Sequence, residues 1–331
     1  MTQRATVAIP TLNRQEYLQL ALQSALAQTW PNLEIIVSDN GSTDGTAALL
    51  AEIDDPRLVR LRQQATIPVF DHWDSCLRAA TGDYFLVLSD DDLLAPDAIE
   101  QMVQVFEDAR ARGEELGFVT CRTTVIDGSG ATKYRGSPLP VPSTPENVVL
   151  AFFRSQCEIV PCGVLFPTSA IRSGYRQYAD AYSLAADAVV WIKRIIETGR
   201  AGFVDRDLAF YRAHDNTTAK TPLSKWYSEN LALSDFVVTE LRANGLGNEV
   251  LYEEIRCAAL QLNTRITAGL IANMWTRSKR AALALARQHA GQFANPYGAF
   301  VLMKAMISAA VPRAWRPSLV ALSRLGRNCV L

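Results

Sequence analysis

The sequence predicts an α/β fold with a mostly parallel sheet flanked by helices. Three apolar, β-branched segments predict it, and each ends in a polar loop: VAIPTLNR at residues 7–14, EIIVSDNGSTDGT at 34–46 and GDYFLVLSDDDLL at 82–94. Such runs are typical of buried parallel strands that open into loops at their carboxyl ends. The alternation of strands with helical periodicity favours right-handed crossovers. In open α/β sheets, ligands bind at these carboxyl ends.

Periodicity and end signals predict the elements of the first 125 residues. Strands are predicted over residues 6–10, 34–38, 58–61, 84–88 and 117–125, and helices over 15–28, 44–53, 70–80 and 96–112. Leu18 and Leu22 recur at helical spacing in the first helix. Asn13 is expected to cap that helix, and Thr43 or Asp44 the next one.

The second half of the chain begins with a long loop at residues 127–145, which holds three Gly and four Pro. A loop of this length is usually functional or mobile. A helix is then predicted over residues 146–155, a strand over 164–166, a helix over 184–198 and two short strands over 202–204 and 208–212. From residue 223 onward the pattern is mostly helical.

Composition indicates an ordinary globular protein, with 49% hydrophobic and 20% charged residues and a net charge of −1. The charge is unevenly distributed, because residues 255–331 carry 11 Lys/Arg and no Asp/Glu. The six cysteines match no common zinc or redox spacing and are expected to be reduced and mostly buried. No signal peptide is expected, since the first strand begins almost at Met1. No apolar run approaches the ~18 residues of a membrane span.

Acidic residues follow two of the predicted strands. Asp90, Asp91 and Asp92 come directly after one strand, while Asp39 and Asp44 follow another. The first group alone is readily explained as a solvated loop with a cap for the next helix. Together at one sheet edge they would repel each other unless a cation lay between them. Mg²⁺ and Mn²⁺ combine a few carboxylates with phosphate oxygens, so both loops favour a metal–diphosphate site.

Two common nucleotide motifs are missing from the sequence. It contains neither a Gly-x-Gly-x-x-Gly dinucleotide fingerprint nor a P-loop. A Gly-rich, Arg-bearing loop of the nucleotidyltransferase type is also absent after the first strand. The order of the three segments instead resembles the family 2 glycosyltransferases, and the resemblance covers about residues 4–215. It implies the GT-A fold and an inverting, metal-dependent enzyme that uses nucleotide-activated sugars.

The resemblance also implies roles for residues of the three segments. Residues implied to bind the nucleotide or its sugar are Pro10, Thr11, Asn13, Asp39, Asn40, Asp44, Asp90 and Arg212. Residues implied to bind Mn²⁺ or Mg²⁺ are Asp91, Asp92 and His214. The family's common Asp-x-Asp-Asp pattern aligns its first Asp with Ser89, so Asp91 is favoured as the main ligand, with Asp90 or Asp92 assisting. His214 is equally consistent with a structural hydrogen-bonding role.

An inverting transfer needs a general base for the acceptor hydroxyl. The resemblance implies an acidic residue at the start of a helix in the second half of the domain, and Asp187 stands there, followed by an apolar helix. Taken without the family, Asp187 is explained as an acidic residue in a first helical turn, where negative charge is favourable. Asp180 is the alternative candidate.

The predicted organisation has a catalytic domain at residues 1–220 and a basic helical region at 221–331. Residues 1–125 would form the nucleotide-sugar half, and 126–220 the acceptor half. The basic region either packs on the acidic body or attaches to an anionic membrane surface, since Lys and Arg alternate with Trp and Phe there. Nucleic acid is not expected as a partner. The protein is expected in the cytoplasm, at the inner membrane face if it attaches.

The predicted activity is that of a hexosyltransferase. It would move a sugar from a UDP- or dTDP-linked donor to a hydroxyl of a glycan or lipid-linked glycan in cell-surface polysaccharide synthesis. One alternative is a non-catalytic scaffold that binds nucleotide sugars. Another is a nucleotide-sugar hydrolase or nucleotidyltransferase, which would release a nucleoside monophosphate or pyrophosphate.

Overall fold

The computed structural model describes residues 3–213 and 222–310. Over residues 3–213 the strands are β1 (Ala5–Thr11), β2 (Leu33–Asp39), β3 (Leu58–Arg62), β4 (Tyr84–Val87), β5 (Leu93–Leu94), β6 (Val119–Ile126), β7 (Thr132–Arg135), β8 (Val164–Pro167) and β9 (Gly202–Arg212). The helices of the same range are α1 (Gln15–Leu26), α2 (Thr46–Ala51), α3 (Val69–Ala79), α4 (Ala98–Ala111), α5 (Pro145–Phe153), α6 (Arg176–Ala179) and α7 (Ala186–Thr198).

Within the described residues the strands form one sheet in the order β3-β2-β1-β4-β8-β6-β9-β5, with β7 paired to β6. The pairs among β3, β2, β1 and β4 are parallel, as is the pair β6–β9. Every residue of β1 and of β2 is buried, as expected for strands covered by helices on both faces. The predicted mostly parallel α/β sheet is therefore confirmed.

The parallel register brings the predicted loops to one edge of the sheet. Thr11 at the end of β1 lies opposite Asp39 at the end of β2. On the other side of β1, Ala8 pairs with Val87, three residues before the acidic loop. The carboxyl ends of three neighbouring strands thus open beside one another.

Three predictions about the elements are wrong. The two short strands predicted after Thr198 are one strand, β9, which continues through the charged residues 205–207 because its register on β6 shifts beside Arg122. The long loop contains β7, a strand that pairs with β6 as a hairpin. Asn13 does not cap α1, since its Oδ1 accepts the Thr43 amide instead. The Gln15 amide donates to Asp44, so the cap comes from a neighbouring loop.

The helices of the carboxyl-terminal part are α8 (Leu223–Ala243), α9 (Glu249–Arg277), α10 (Lys279–Gln288), α11 (Ala290–Phe293) and α12 (Pro296–Ala310). Apolar side chains of α8 and α9, such as Val237 and Ile255, belong to the same core cluster as Trp191 on α7 and Phe153 on α5. The core is therefore continuous from the sheet into the first carboxyl-terminal helices. The division into domains at residue 220 stays a prediction.

Two further expectations can be compared with the described residues. Four cysteines are buried free thiols, namely Cys76, Cys121, Cys157 and Cys162, and Cys257 is an exposed one. Among residues 3–213 and 222–310, no helix combines the length and apolar character that crossing a bilayer requires.

Candidate active site

A cavity of about 850 Å³ opens at the carboxyl ends of β1, β2 and β4. Its wall includes sequence-predicted site residues from five separate segments, namely Pro10, Thr11, Asn40, Asp90, Asp91, Asp187 and Arg212. The sheet supplies most of them, while Asp187 comes from the start of α7 across the opening. One cavity therefore brings together the acidic loop and the predicted base.

The acidic loop is held at the cavity wall by two neighbours, one in β1 and the other the residue just before α1. The Thr11 hydroxyl donates to Asp90 Oδ2 at 2.8 Å. The Arg14 guanidinium donates through the same nitrogen to Asp90 Oδ1 at 3.0 Å and Asp91 Oδ2 at 2.8 Å. Burial raises the pKa of Asp90, although Arg14 and Thr11 oppose that shift. Arg14 thus supplies one positive charge that the two carboxylates of this wall share.

Asp92 is placed differently from its two neighbours. It is 1% exposed, is not part of the cavity wall, and accepts the backbone amide of Arg212 at 2.8 Å. Burial and the Asp91 charge raise its pKa to about 7, while the Arg212 amide and the Cys162 thiol act in the opposite direction. The structure therefore joins Asp92 to β9, and its role as a metal ligand stays a prediction.

Arg212 lies at the cavity wall but directs its guanidinium to backbone carbonyls. Its Nε donates to the Asp91 carbonyl at 2.8 Å, and its Nη1 to the Asp127 carbonyl at 3.0 Å. The guanidinium also lies over the Tyr17 ring, 5.3 Å from the centroid. These contacts tie the acidic loop to the start of the β6–β7 connection. A contact between Arg212 and a phosphate of the donor stays a prediction.

Asp187 lies on the opposite wall, in the first turn of α7. Burial raises its pKa to about 6, against weaker opposing effects of the Asp187 and Ala188 amides. Among the described residues, no Lys, Arg or His forms an ion pair with it. A carboxylate with this pKa is ionised at neutral pH and still basic enough to accept a proton. Asp180, the alternative base, lies outside the cavity and pairs with Arg176 at 2.7 Å.

Three of the residues predicted to bind nucleotide support the loops instead of lining the cavity. Asp39 is 2% exposed and accepts from the Ser42 amide and from Arg62. Asp44 accepts the Gln15 and Thr46 amides. Asn13, whose φ of 53° is left-handed, joins the first loop to the second through Thr43. Their contacts with a nucleotide stay a prediction.

Asn40 does line the cavity, and it fixes a further segment of the wall. Its side-chain amide donates to the Ile67 carbonyl at 2.9 Å and accepts the Ile67 amide at 3.0 Å. The Thr66 hydroxyl donates to the Asn40 carbonyl. Asn40 and the Thr66–Ile67 segment line the same cavity as Pro10, Thr11 and the acidic loop.

Several cavity residues were not predicted from the sequence. Arg14 is the most informative, and part of the signal was available, since this cation is the last residue of the first motif; its guanidinium pairs with Asp90 and Asp91 of the acidic loop. His72 lines the wall with its Nε2 2.8 Å from the Ser38 hydroxyl, and burial lowers its pKa. Trp73 and Tyr211 add aromatic surface, and burial raises the pKa of Tyr211 to about 12.

Carboxylates at the cavity wall are the candidate ligands of a divalent ion. In the described part of the chain, no group of three or more His, Cys, Asp or Glu side chains is arranged to hold a metal. Mg²⁺ and Mn²⁺ sites that bind diphosphates need only one or two carboxylates, because phosphate and water complete the shell. Asp91 at the wall fits such a site. The third predicted ligand, His214, lies outside the described residues.

Comparisons with known proteins agree with this arrangement. Residues 6–160 match the family described as Glycosyl transferase family 2. Over 76% of this chain and 72% of the relative, the sequence is 23% identical to the succinoglycan biosynthesis protein ExoO of Rhizobium meliloti (strain 1021). Over 63% of this chain and 77% of the relative, it is 22% identical to the UDP-Glc:alpha-D-GlcNAc-diphosphoundecaprenol beta-1,3-glucosyltransferase WfaP of Escherichia coli.

Two solved structures share the fold. S. aureus TarS 1-349 in complex with UDP-GlcNAc aligns with a TM-score of 0.57 and 16% identity, over 97% of this chain and 87% of that one. The mannosyltransferase PcManGT from Pyrobaculum calidifontis, in complex with GDP-Man and Mn²⁺, aligns with a TM-score of 0.53 and 18% identity, over 95% of this chain and 88% of that one. At these identities the likeness establishes the fold, and the predicted GT-A type architecture is confirmed.

Proposed function

This chain belongs to glycosyltransferase family 2, and from that premise we propose that it is an inverting, metal-dependent hexosyltransferase. The donor is a nucleoside diphosphate sugar, UDP- or dTDP-linked. The acceptor is a hydroxyl of a glycan or lipid-linked glycan in cell-surface polysaccharide synthesis. The observation that carries the proposal is that Asp91 and Asp187 line the same cavity. The pKa of Asp187 is raised to about 6.

The donor is proposed to bind along the wall formed by the ends of β1, β2 and β4. Pro10, Thr11 and Asn40 line this part of the cavity, and the Thr66–Ile67 segment extends it. The relative WfaP is named for a UDP-Glc donor, and TarS was solved with UDP-GlcNAc, which supports a UDP sugar here. PcManGT was solved with GDP-Man, so the base must be determined by experiment.

The proposed chemistry is a direct displacement. Asp187 removes the proton from the acceptor hydroxyl while that oxygen attacks the anomeric carbon of the donor sugar. The bond from the anomeric carbon to the diphosphate oxygen breaks, and the diphosphate leaves with the electron pair, so the configuration inverts. Asp91 would hold Mn²⁺ or Mg²⁺, which supplies charge stabilisation for the leaving diphosphate. Mn²⁺ in the PcManGT complex supports this metal requirement.

The acceptor class is proposed from the relatives and from the carboxyl-terminal helices. WfaP is named for a diphosphoundecaprenol-linked acceptor. The exposed surface of α10 and α12 carries the apolar side chains Leu283, Phe300 and Met303 and the cations Lys279, Arg280, Arg287 and Lys304. We propose that this surface contacts anionic lipid, where each cation contributes roughly 1 kcal/mol. Failure to co-float with anionic vesicles at low salt would contradict this part of the proposal.

A thermal-shift panel tests the donor site without knowledge of the acceptor. UDP, dTDP, GDP, CDP and ADP are each added with and without Mn²⁺. A ligand that binds only the native state at about 100 times its Kd stabilises by ~2.7 kcal/mol. We expect a Mn²⁺-dependent rise in Tm with UDP or dTDP that exceeds the rise with the other nucleotides. No rise with any nucleotide would contradict the proposed function.

A further inference from the structure

The Arg14 side chain occupies the position between the two cavity-facing carboxylates of the acidic loop. One guanidinium nitrogen donates to Asp90 Oδ1 at 3.0 Å and to Asp91 Oδ2 at 2.8 Å. The Arg14 side chain is 29% exposed, so it borders the cavity instead of being enclosed in the core. Without this cation, two carboxylates would stand side by side at the wall and repel each other.

The two carboxylates differ in their exposure to the cavity. Asp90 uses both oxygens, Oδ1 for Arg14 and Oδ2 for the Thr11 hydroxyl, and the residue is only 6% exposed. Asp91 is more exposed at its side chain, at 14% against 8%. A cation in the cavity therefore has better access to Asp91 than to Asp90, and at Asp91 Oδ2 it competes with the Arg14 guanidinium.

The backbone of Arg14 is held in place, while its side chain extends to Asp90 and Asp91. Arg14 stands at the first turn of α1, where its carbonyl accepts the Leu18 amide at 2.9 Å. The preceding residue, Asn13, is held by Thr43 and Ser42. Loss of the contact with Asp91 therefore requires only rotation of a long side chain, with no change in the fold.

We propose that Arg14 is an internal counter-cation that holds Asp91 in the metal-free enzyme and competes with the divalent ion for it. The inference rests on the proposed function, since it assumes that Asp91 takes a metal. It assigns to Arg14 a positioning role, because the guanidinium keeps the loop in shape when no metal is bound. It also means that the resting site has a lower metal affinity than its carboxylates alone would give.

The test measures Mn²⁺ binding directly, without donor and without turnover. Free Mn²⁺ is titrated by electron paramagnetic resonance against the wild-type chain, Arg14→Gln, Arg14→Lys and Arg57→Gln. Arg57 is the matched control, because its side chain is also 29% exposed and pairs with one aspartate, Asp55, at 2.8 Å. Removal of a partly exposed ion pair that competes with the metal should tighten Mn²⁺ binding by about fivefold in Arg14→Gln.

The other variants and a stability measurement complete the test. Arg14→Lys should bind Mn²⁺ within about twofold of wild type, since it keeps a competing cation, and Arg57→Gln should match wild type. Arg14→Gln should have a lower Tm in metal-free buffer, and saturating Mn²⁺ should raise its Tm more than that of wild type. A purely structural role would lower Tm by the same amount with and without Mn²⁺.

The outcomes separate this inference from the proposed function. If wild type binds Mn²⁺ and Arg14→Gln binds it equally or more weakly, the competition is refuted while the metal-dependent enzyme stands. If wild type and Arg14→Gln both fail to bind Mn²⁺ even with UDP present, the metal part of the proposed function fails and this inference fails with it.

Discussion

The two acidic walls of the cavity are built in opposite ways. On the donor side, Asp90 and Asp91 face the Arg14 guanidinium, and Asp90 also accepts the Thr11 hydroxyl. On the opposite side, Asp187 stands in the first turn of α7 with no ion pair from a described cation, and burial raises its pKa to about 6. One wall pairs its two carboxylates with a shared cation, while the other holds a carboxylate whose ionised form is disfavoured by burial.

This difference separates binding from proton transfer. At the donor wall, a metal ion can take over the carboxylate contact that the Arg14 guanidinium makes. A buried carboxylate with no paired cation has a strong tendency to take a proton, which is what a general base needs near neutral pH. Substitution of Asp91 should therefore weaken donor binding, whereas substitution of Asp187 should reduce the rate of transfer.

The largest expected effect is that of Asp187→Asn on sugar transfer. The amide has a similar shape but cannot accept the hydroxyl proton, so the acceptor-dependent release of nucleoside diphosphate should fall by about 10²–10⁴-fold. The measurement is the steady-state rate under saturating donor. Asp180→Asn serves as control, because Asp180 is exposed and pairs with Arg176 outside the cavity. A fully active Asp187→Asn enzyme, or an inactive Asp180→Asn enzyme, would contradict the assignment of the base.

A smaller effect is expected from pH. Asp187 accepts a proton only when ionised, so kcat/KM should rise with pH through about 6 and level off above it. At pH 5, one unit below that pKa, only about a tenth of the carboxylate is ionised, so the rate should be roughly tenfold lower than on the plateau. The residual activity of Asp187→Asn should lack this rise. A wild-type profile that is flat between pH 5 and 7 would count against the base.

The smallest expected effect is on stability. Because the folded-state pKa of Asp187 lies above the ordinary value of 3.8, the native state binds its proton more tightly than the unfolded state. The stability from this group is fully present below about pH 4 and is lost as pH rises through about 6. At pH 8, Asp187→Asn should therefore be more stable than wild type, by on the order of 1 kcal/mol. Denaturant unfolding at pH 4 and pH 8 checks this, and a less stable variant at pH 8 would show that the carboxylate is stabilised after all.

The sequence predicted the parallel half of the sheet better than the rest, for physical reasons. Strands such as β1 and β2 are fully buried, so their apolar runs are visible locally. The strand β7 is exposed at all four residues and exists through its pairing with β6, which leaves no apolar pattern. In β9 the charged residues 205–207 interrupt the apolar run, although ion pairs from Arg122 and Arg135 hold them to the sheet.

The site was predictable to the level of segments but not of side-chain directions. Asp90, Asp91 and Asp187 lie at one cavity because the strand order and the start of α7 fix the positions of their loops. The sequence did not indicate that Asp39 and Asp92 are turned to backbone amides, since hydrogen bonds to distant residues decide the orientation of a buried carboxylate. The ion pairs of Arg14 escaped prediction for the same reason.

Calorimetric titration with the nucleoside diphosphate that raises Tm most tests the separation of the two walls most directly. Wild type, Asp91→Ala and Asp187→Asn are titrated in saturating Mn²⁺. The account predicts that Asp187→Asn keeps the wild-type Kd within about threefold, while Asp91→Ala weakens binding by at least about tenfold, or ~1.4 kcal/mol. Equal weakening by both variants, or unchanged binding by Asp91→Ala, would contradict the division between a donor wall and a proton-transfer wall.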